Sequence, residues 1–125
     1  MIRKKWLAGA ALFGGSVCAQ NPVVPPGVFA ADPEGHQWKD GRLYLYVSRD
    51  ESPDFYCSWR YDLLSTDDLK NWTIHRDAFA SKGPNDEVPY SDGELYASDA
   101  AYKDGKYYLY YSMRDAIDEG VAVAD

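Results

Sequence analysis

The chain reads as an all-β protein, and three features of its 125 residues predict it. Short alternating runs recur between turn signals: Leu43, Leu45 and Val47 share one face of a run whose other face carries Tyr44 and Tyr46. Asp40-Gly41 and Asp104-Gly105 lie between such runs, where hairpin turns need residues that tolerate positive φ. No stretch beyond the first 20 residues keeps a 3.6-residue apolar period, which argues against a helical core.

Residues 1–19 read as a secretory signal. Met1-Ile2-Arg3-Lys4-Lys5 is basic, and the apolar run Trp6 to Gly15 is too short to span a membrane as a helix. Val17-Cys18-Ala19 suits a signal peptidase, so cleavage before Gln20 leaves residues 20–125 as the folding unit, exported to the periplasm or beyond the cell. A rival reading makes Cys18 a lipid-modified residue, against which Val17 stands where a small residue is wanted. Removing Arg3, Lys4 and Lys5 takes the formal charge from −7 to −10, with no basic cluster left. Nucleic acid and anionic membrane are therefore poorly matched partners. Cys57 has no partner in the mature chain, so no disulfide framework is expected, and a partly buried packing role is its simplest reading.

Along the mature chain, Asn21 to Phe29 contains Pro22, Pro25, Pro26 and Gly27 and predicts an extended lead-in. Asp32 to Trp38 and Arg42 to Ser48 predict antiparallel strands joined at Lys39-Asp40-Gly41. Arg49 to Arg60, polar and carrying Pro53, predicts a projecting loop. A strand follows over Tyr61 to Thr66, then a turn Asp67 to Trp72 with one buried aromatic, then a short strand over Thr73 to His75. After a loop with Gly83, Pro84 and Pro89, strands are predicted over Ala97 to Lys103, Lys106 to Met113 and Gly120 to Ala124.

The second half repeats the first. Gly41 and Gly105 are 64 residues apart, and Tyr61 to Asp67 overlays Glu119 to Asp125 with an offset of 58, the difference falling in the loop after the second strand. One four-stranded unit recurs, as in the blades of a β-propeller or a similar sheet array. Eleven tyrosines and four tryptophans suit strands with one packed and one partly wet face.

Three segments in order then carry a family resemblance. Ala31-Asp32-Pro33 precedes the first hairpin, and Ser65-Thr66-Asp67-Asp68-Leu69-Lys70-Asn71-Trp72 forms its later turn. Leu95-Tyr96-Ala97-Ser98-Asp99 leads into Tyr102-Lys103-Asp104-Gly105-Lys106-Tyr107-Tyr108-Leu109-Tyr110. The chain resembles glycoside hydrolase family 43, five-bladed β-propeller enzymes that include β-xylosidases, α-L-arabinofuranosidases and arabinanases. The resemblance implies that residues 20–125 cover about the first two blades of a truncated chain. It implies a carbohydrate substrate containing xylose or arabinose, hydrolysed with inversion, and Asp32 as general base. Two departures stand out: Tyr96 replaces the family's tryptophan and keeps an aromatic surface for a sugar, while Ser98 replaces its proline.

The resemblance also implies what is missing. The family's general acid and the aspartate that tunes it come from later blades, and Glu87, Glu94 and Glu119 lack a matching context. Residues 1–125 alone are thus expected to be inactive. Asp99 is expected near the sugar without a catalytic role, with a strand-end acid facing solvent as the alternative. Trp38 and Trp59 are further candidate platforms, with no spacing to select either. The resemblance assigns no certain cofactor and is compatible with a calcium ion in the central channel.

The physical case for Asp32 is separate. A base that takes a proton from water must be ionised and held, and Pro33 restrains the backbone beside it. Inversion requires about 6.5–9.5 Å between that base and its acid. The alternative is an aspartate capping a turn before Pro33. His36 and His75 are too isolated in sequence to suggest a metal site, and Tyr107 to Tyr111 reads as packing between sheets. Two other readings of the whole are a non-catalytic carbohydrate-binding propeller module and a small all-β interaction domain.

Overall fold

A computed structural model describes residues 23–114 and 119–125. The expected signal segment and Cys18 lie outside the described residues. Seven strands run in sequence: β1 (Ala30–Gln37), β2 (Leu43–Arg49), β3 (Arg60–Thr66), β4 (Thr73–Ala80), β5 (Leu95–Lys103), β6 (Lys106–Met113) and β7 (Glu119–Ala124). They form two antiparallel meanders, β1-β2-β3-β4 and β5-β6-β7. No helix occurs among the described residues.

The turns follow their residue types. Asp104 and Gly105 have φ of 52° and 86°, the doubly left-handed arrangement whose twist matches a two-residue hairpin. In the first hairpin Gly41 supplies the positive φ, and its N–H closes the turn on the Trp38 carbonyl at 3.0 Å. The turn after β3 is gathered by Asp68, whose carboxylate accepts the N–H groups of Lys70 and Asn71 at 2.9 and 2.8 Å. Those bonds hold the Asp68 carboxyl below the usual carboxylate range.

Two predicted elements differ. The strand expected over Thr73 to His75 continues to Ala80. Arg76 and Asp77 break the apolar pattern there, but both bond to the Asp62 carboxylate, so the charged pair is held within the sheet. The segment 50–59 does not project freely: Cys57 and Ser58 are buried, and Ser58 bridges Leu95 of the second sheet. Leu95 donates its N–H to the Ser58 carbonyl at 2.8 Å.

The main core lies between the sheets. Tyr61 and Phe79 from the first pack with Leu95, Tyr111 and Met113 from the second, and Val88 from the connection closes the cluster. Tyr61 stacks on Phe79 with centroids 5.9 Å apart, and Phe79 meets Tyr111 at 4.9 Å. Burying one such side chain contributes about 1.5–3 kcal/mol, and neither sheet supplies the cluster alone. Gly120 is required beside it, since a Cβ there would overlap the Tyr111 ring.

The edge strands β1 and β5 of the two sheets lie against one another. His36 contacts Asp99 and Lys39 contacts Tyr102, both with a separation of 63 in sequence, so the two strands run in the same direction. At the end where these strands begin, the charge of Asp32 reaches the Tyr61 hydroxyl. Tyr61 adds a tie at this end, its hydroxyl donating to the Tyr96 carbonyl.

A buried ionic cluster supports the same end. Asp62, only 2% exposed, receives Arg49 from β2 at 3.1 Å, Arg76 from β4, and the Asp77 N–H at 3.1 Å. Arg49 also reaches Glu51 at 2.8 Å and Asp77 at 2.9 Å. Removing one member of a buried ion pair leaves its partner unpaired, at a cost of about 3–5 kcal/mol. Asp62→Ala is therefore expected to destabilise the complete protein by about 3 kcal/mol in urea unfolding, and a loss under about 1 kcal/mol would contradict this role.

The core predicts an alkaline limit. Burial first, and then the hydrogen bond shared with Tyr90, push the Tyr111 hydroxyl from 10.0 up to about 12, while burial raises Tyr61 as well. The folded chain thus holds protons that the unfolded chain releases. This stabilisation is full below about pH 10 and declines as pH rises toward about 12. Urea midpoints should fall across that interval, and Tyr111→Phe should make the fall shallower.

Candidate functional site

The site is built at the end of the sheets where β1 and β5 begin. Asp32 and Pro33 drop out of the β1–β2 ladder in a bulge between Ala31 and Glu34, and Asp32 has φ of 47°. Left-handed backbone at a non-glycine costs on the order of 1–3 kcal/mol and persists where the surroundings enforce it. Here the ladder resumes on both sides, with Ala31 opposite Ser48 and Glu34 opposite Tyr46, and the Ser48 hydroxyl donates to the Ala31 carbonyl at 3.3 Å. The bulge re-aims the carboxylate out of strand alternation, leaving Asp32 exposed.

Bulges recur at this end of the fold. One lies between Tyr61 and Leu63 in the β3–β4 ladder and another between Tyr96 and Ser98 in the β5–β6 ladder. The charge of Asp32 is felt at the Tyr61 hydroxyl, which in turn holds the Tyr96 carbonyl. Asp32 and Tyr96 are thus linked through one buried tyrosine. Desolvation, followed by the bond to the Tyr56 hydroxyl, holds the Tyr96 phenol above its ordinary range.

Asp99 lies further along β5. Its Oδ1 meets His36 Nε2 at 2.9 Å and accepts the Ala100 N–H at 2.6 Å. His36 also faces Glu34 at 3.7 Å and stacks on Trp38 with centroids 4.8 Å apart. Trp38 follows the opposite end of β1, donating its indole N–H to the Tyr46 hydroxyl at 3.2 Å and meeting the edge of Tyr107. The fold therefore brings Tyr96 to the end that carries Asp32, sets Asp99 at mid-strand against His36, and leaves Trp38 at the far end. Trp59 is covered by the Lys82 ammonium 5.0 Å from its ring centre.

Sequence reasoning missed the convergence on His36, because its partner is 63 residues away and only the approach of β1 to β5 joins them. Glu34, His36 and Asp99 are a described group whose ligand atoms lie within 4.8 Å of one another. Three donors, two of them on exposed acids, fall short of the about 6–8 oxygens that calcium takes, so these residues alone do not make a calcium site.

Ser98, the departure noted beside Asp99, is buried, and its hydroxyl has no hydrogen-bond partner among the described residues. It lines a cleft of about 450 Å³ with Asp99, Tyr110, Ser112 and Val121. Cys57 is free and 5% exposed, more deeply buried than its partly buried reading. Burial raises its thiol, which suits a packing group better than a nucleophile.

Residues 19–125 match the model of the glycosyl hydrolases family 43. The chain is 33% identical to a xylosidase/arabinosidase of Bacteroides ovatus, the match covering 80% of this chain and 33% of that protein. It is 36% identical to xylosidase/arabinosidase 43A of Humicola insolens, over 78% of this chain and 33% of that one. It is 32% identical to a beta-xylosidase of Xylanibacter ruminicola, over 80% and 34%. The chain spans about a third of the length of these curated relatives. With its antiparallel sheets and a family match running from residue 19 to residue 125, this chain belongs to glycosyl hydrolases family 43.

Proposed function

We propose that the complete protein hydrolyses glycosidic bonds in xylose- or arabinose-containing plant polysaccharides or oligosaccharides, with Asp32 as the general base of an inverting reaction. The observation that carries this reading is the strained bulge at Asp32, which presents an exposed carboxylate whose charge reaches Tyr61, the residue that holds the Tyr96 carbonyl. Family membership supports glycoside hydrolysis, and the names of the relatives support the two sugars.

In this mechanism Asp32 takes a proton from water as the water oxygen bonds to the anomeric carbon. The bond from that carbon to the leaving oxygen breaks, and an acid on the opposite side protonates the departing oxygen. Tyr96 offers an aromatic face to the sugar beside Asp32. Asp99, tied to His36, holds the wall further in and lines the cleft next to Ser98. The two sheets are read as adjoining blades of a five-bladed propeller. Glu87, Glu94 and Glu119 are not assigned as the acid, so residues 1–125 by themselves are expected not to turn over.

Asp32→Asn in the complete protein tests the base. Turnover of aryl xyloside and aryl arabinofuranoside should fall by on the order of 10²–10⁴, with KM little changed. Near-parental turnover would remove Asp32 from the role. Saccharide binding by the parent protein without any hydrolysis would favour a carbohydrate-binding module instead.

A further inference from the structure

We infer that the segment between β2 and β3 carries an extended saccharide platform, made by Tyr56 and Phe55 in continuation of Tyr96, with Phe29 on its flank. The inference rests on the proposed function and adds to it a preference for longer substrate chains.

The rings form a tiled row. Tyr96 and Tyr56 are 22° from parallel with centroids 6.2 Å apart, and Tyr56 and Phe55 are 24° from parallel at 5.8 Å. Near-parallel rings at such distances are offset, so each exposes part of a face beyond its neighbour. Tyr56 and Phe29 are each 65% exposed. Row spacing of this size is comparable to the step between neighbouring sugars in a chain. A sugar presents a face of C–H bonds, weakly positive, to the negative face of an aromatic ring.

The row is also held in advance of any ligand. Cys57 has φ of 85°, a left-handed conformation at a buried non-glycine residue. Its N–H is caught by the Asp50 carboxylate at 2.8 Å, and the next residue is locked to Leu95 by the Ser58 carbonyl. The strained turn buries Cys57 while leaving Tyr56 outside against Tyr96. Ser52 bridges Phe55, and the Arg114 guanidinium lies 4.8 Å from the Phe55 ring centre. Ordering these side chains beforehand lowers the entropy lost on binding.

The surroundings match a saccharide rather than an apolar partner. Phe29 and Tyr56 line a cleft of about 340 Å³ whose other walls are Asp50, Glu51, Ser52 and Pro53. Aromatic faces bordered by carboxylates and a hydroxyl suit a ligand with apolar ring faces and hydroxyl donors at its edges. The platform lies at the end of the sheets that holds Asp32, because the segment follows the end of β2 and the start of β1 pairs there, Ala30 opposite Arg49.

The test uses the complete protein and linear xylo- and arabino-oligosaccharides of increasing length, with aryl glycosides as the short reference. For the parent, kcat/KM should rise with chain length. Tyr56→Ala should lower it about tenfold for the longest chains and much less for aryl glycosides, while Tyr56→Phe should retain most of the rise. Parental length dependence in a Phe29→Ala, Tyr56→Ala double variant would overturn the platform, as would a parent that cleaves aryl glycosides but shows no rise with length. Both of those outcomes leave the proposed hydrolysis standing. A parent that acts on neither set of substrates would overturn the hydrolase reading and the platform with it.

Discussion

The structure depends on Tyr61. Its ring belongs to the core between the sheets, and its hydroxyl crosses that core to hold the Tyr96 carbonyl. A meander of four strands cannot bury both faces alone, so packing the second sheet over Tyr61 and Phe79 stabilises both. The same side chain then fixes where the second sheet begins relative to the bulge at Asp32. Stability and site geometry share one residue because the apolar ring and polar tip of tyrosine do different work.

Backbone irregularity is concentrated at that end. Asp32, Cys57 and Asp77 have positive φ there, and three strand ladders are interrupted nearby. Regular pairing elsewhere makes these departures tolerable: β6 pairs without interruption on its β7 side, and β2 does so against β3. The ionic cluster on Asp62 joins β2, β3 and β4 just below the strained turns. A site whose groups lie on loops and bulges gains its precision from such supports.

Much of the fold was legible in the residues. The two Asp-Gly turns, the alternation in Leu43 to Val47 and the repeat between Gly41 and Gly105 located most strands to within a residue or two. The fourth strand runs past its legible part because Arg76 and Asp77 look like loop residues, whereas Asp62 pairs Arg76 and accepts the Asp77 N–H while Arg49 pairs the Asp77 carboxylate. The polarity of segment 50–59 predicts a projecting loop, whereas the backbone bond between Leu95 and Ser58 folds it onto the second sheet. Of the candidate site residues, Asp32 and Tyr96 come to one end, while Trp38 is engaged with His36, Tyr46 and Tyr107 at the other.

The division follows from the range of the forces involved. Turn chemistry, strand alternation and the internal repeat are local properties of the chain, and the residues alone determined the all-β class, the order of the strands and the segments resembling the family. What faces what across the sheets is decided by long-range packing, for which a single sequence carries no local signal. Only the tertiary structure joined His36 to Asp99, placed Asp62 beneath Arg49 and Arg76, and turned Tyr56 onto Tyr96. The left-handed backbone at Asp32 belongs to the same class, since the β1–β2 ladder on either side of the bulge is what enforces it.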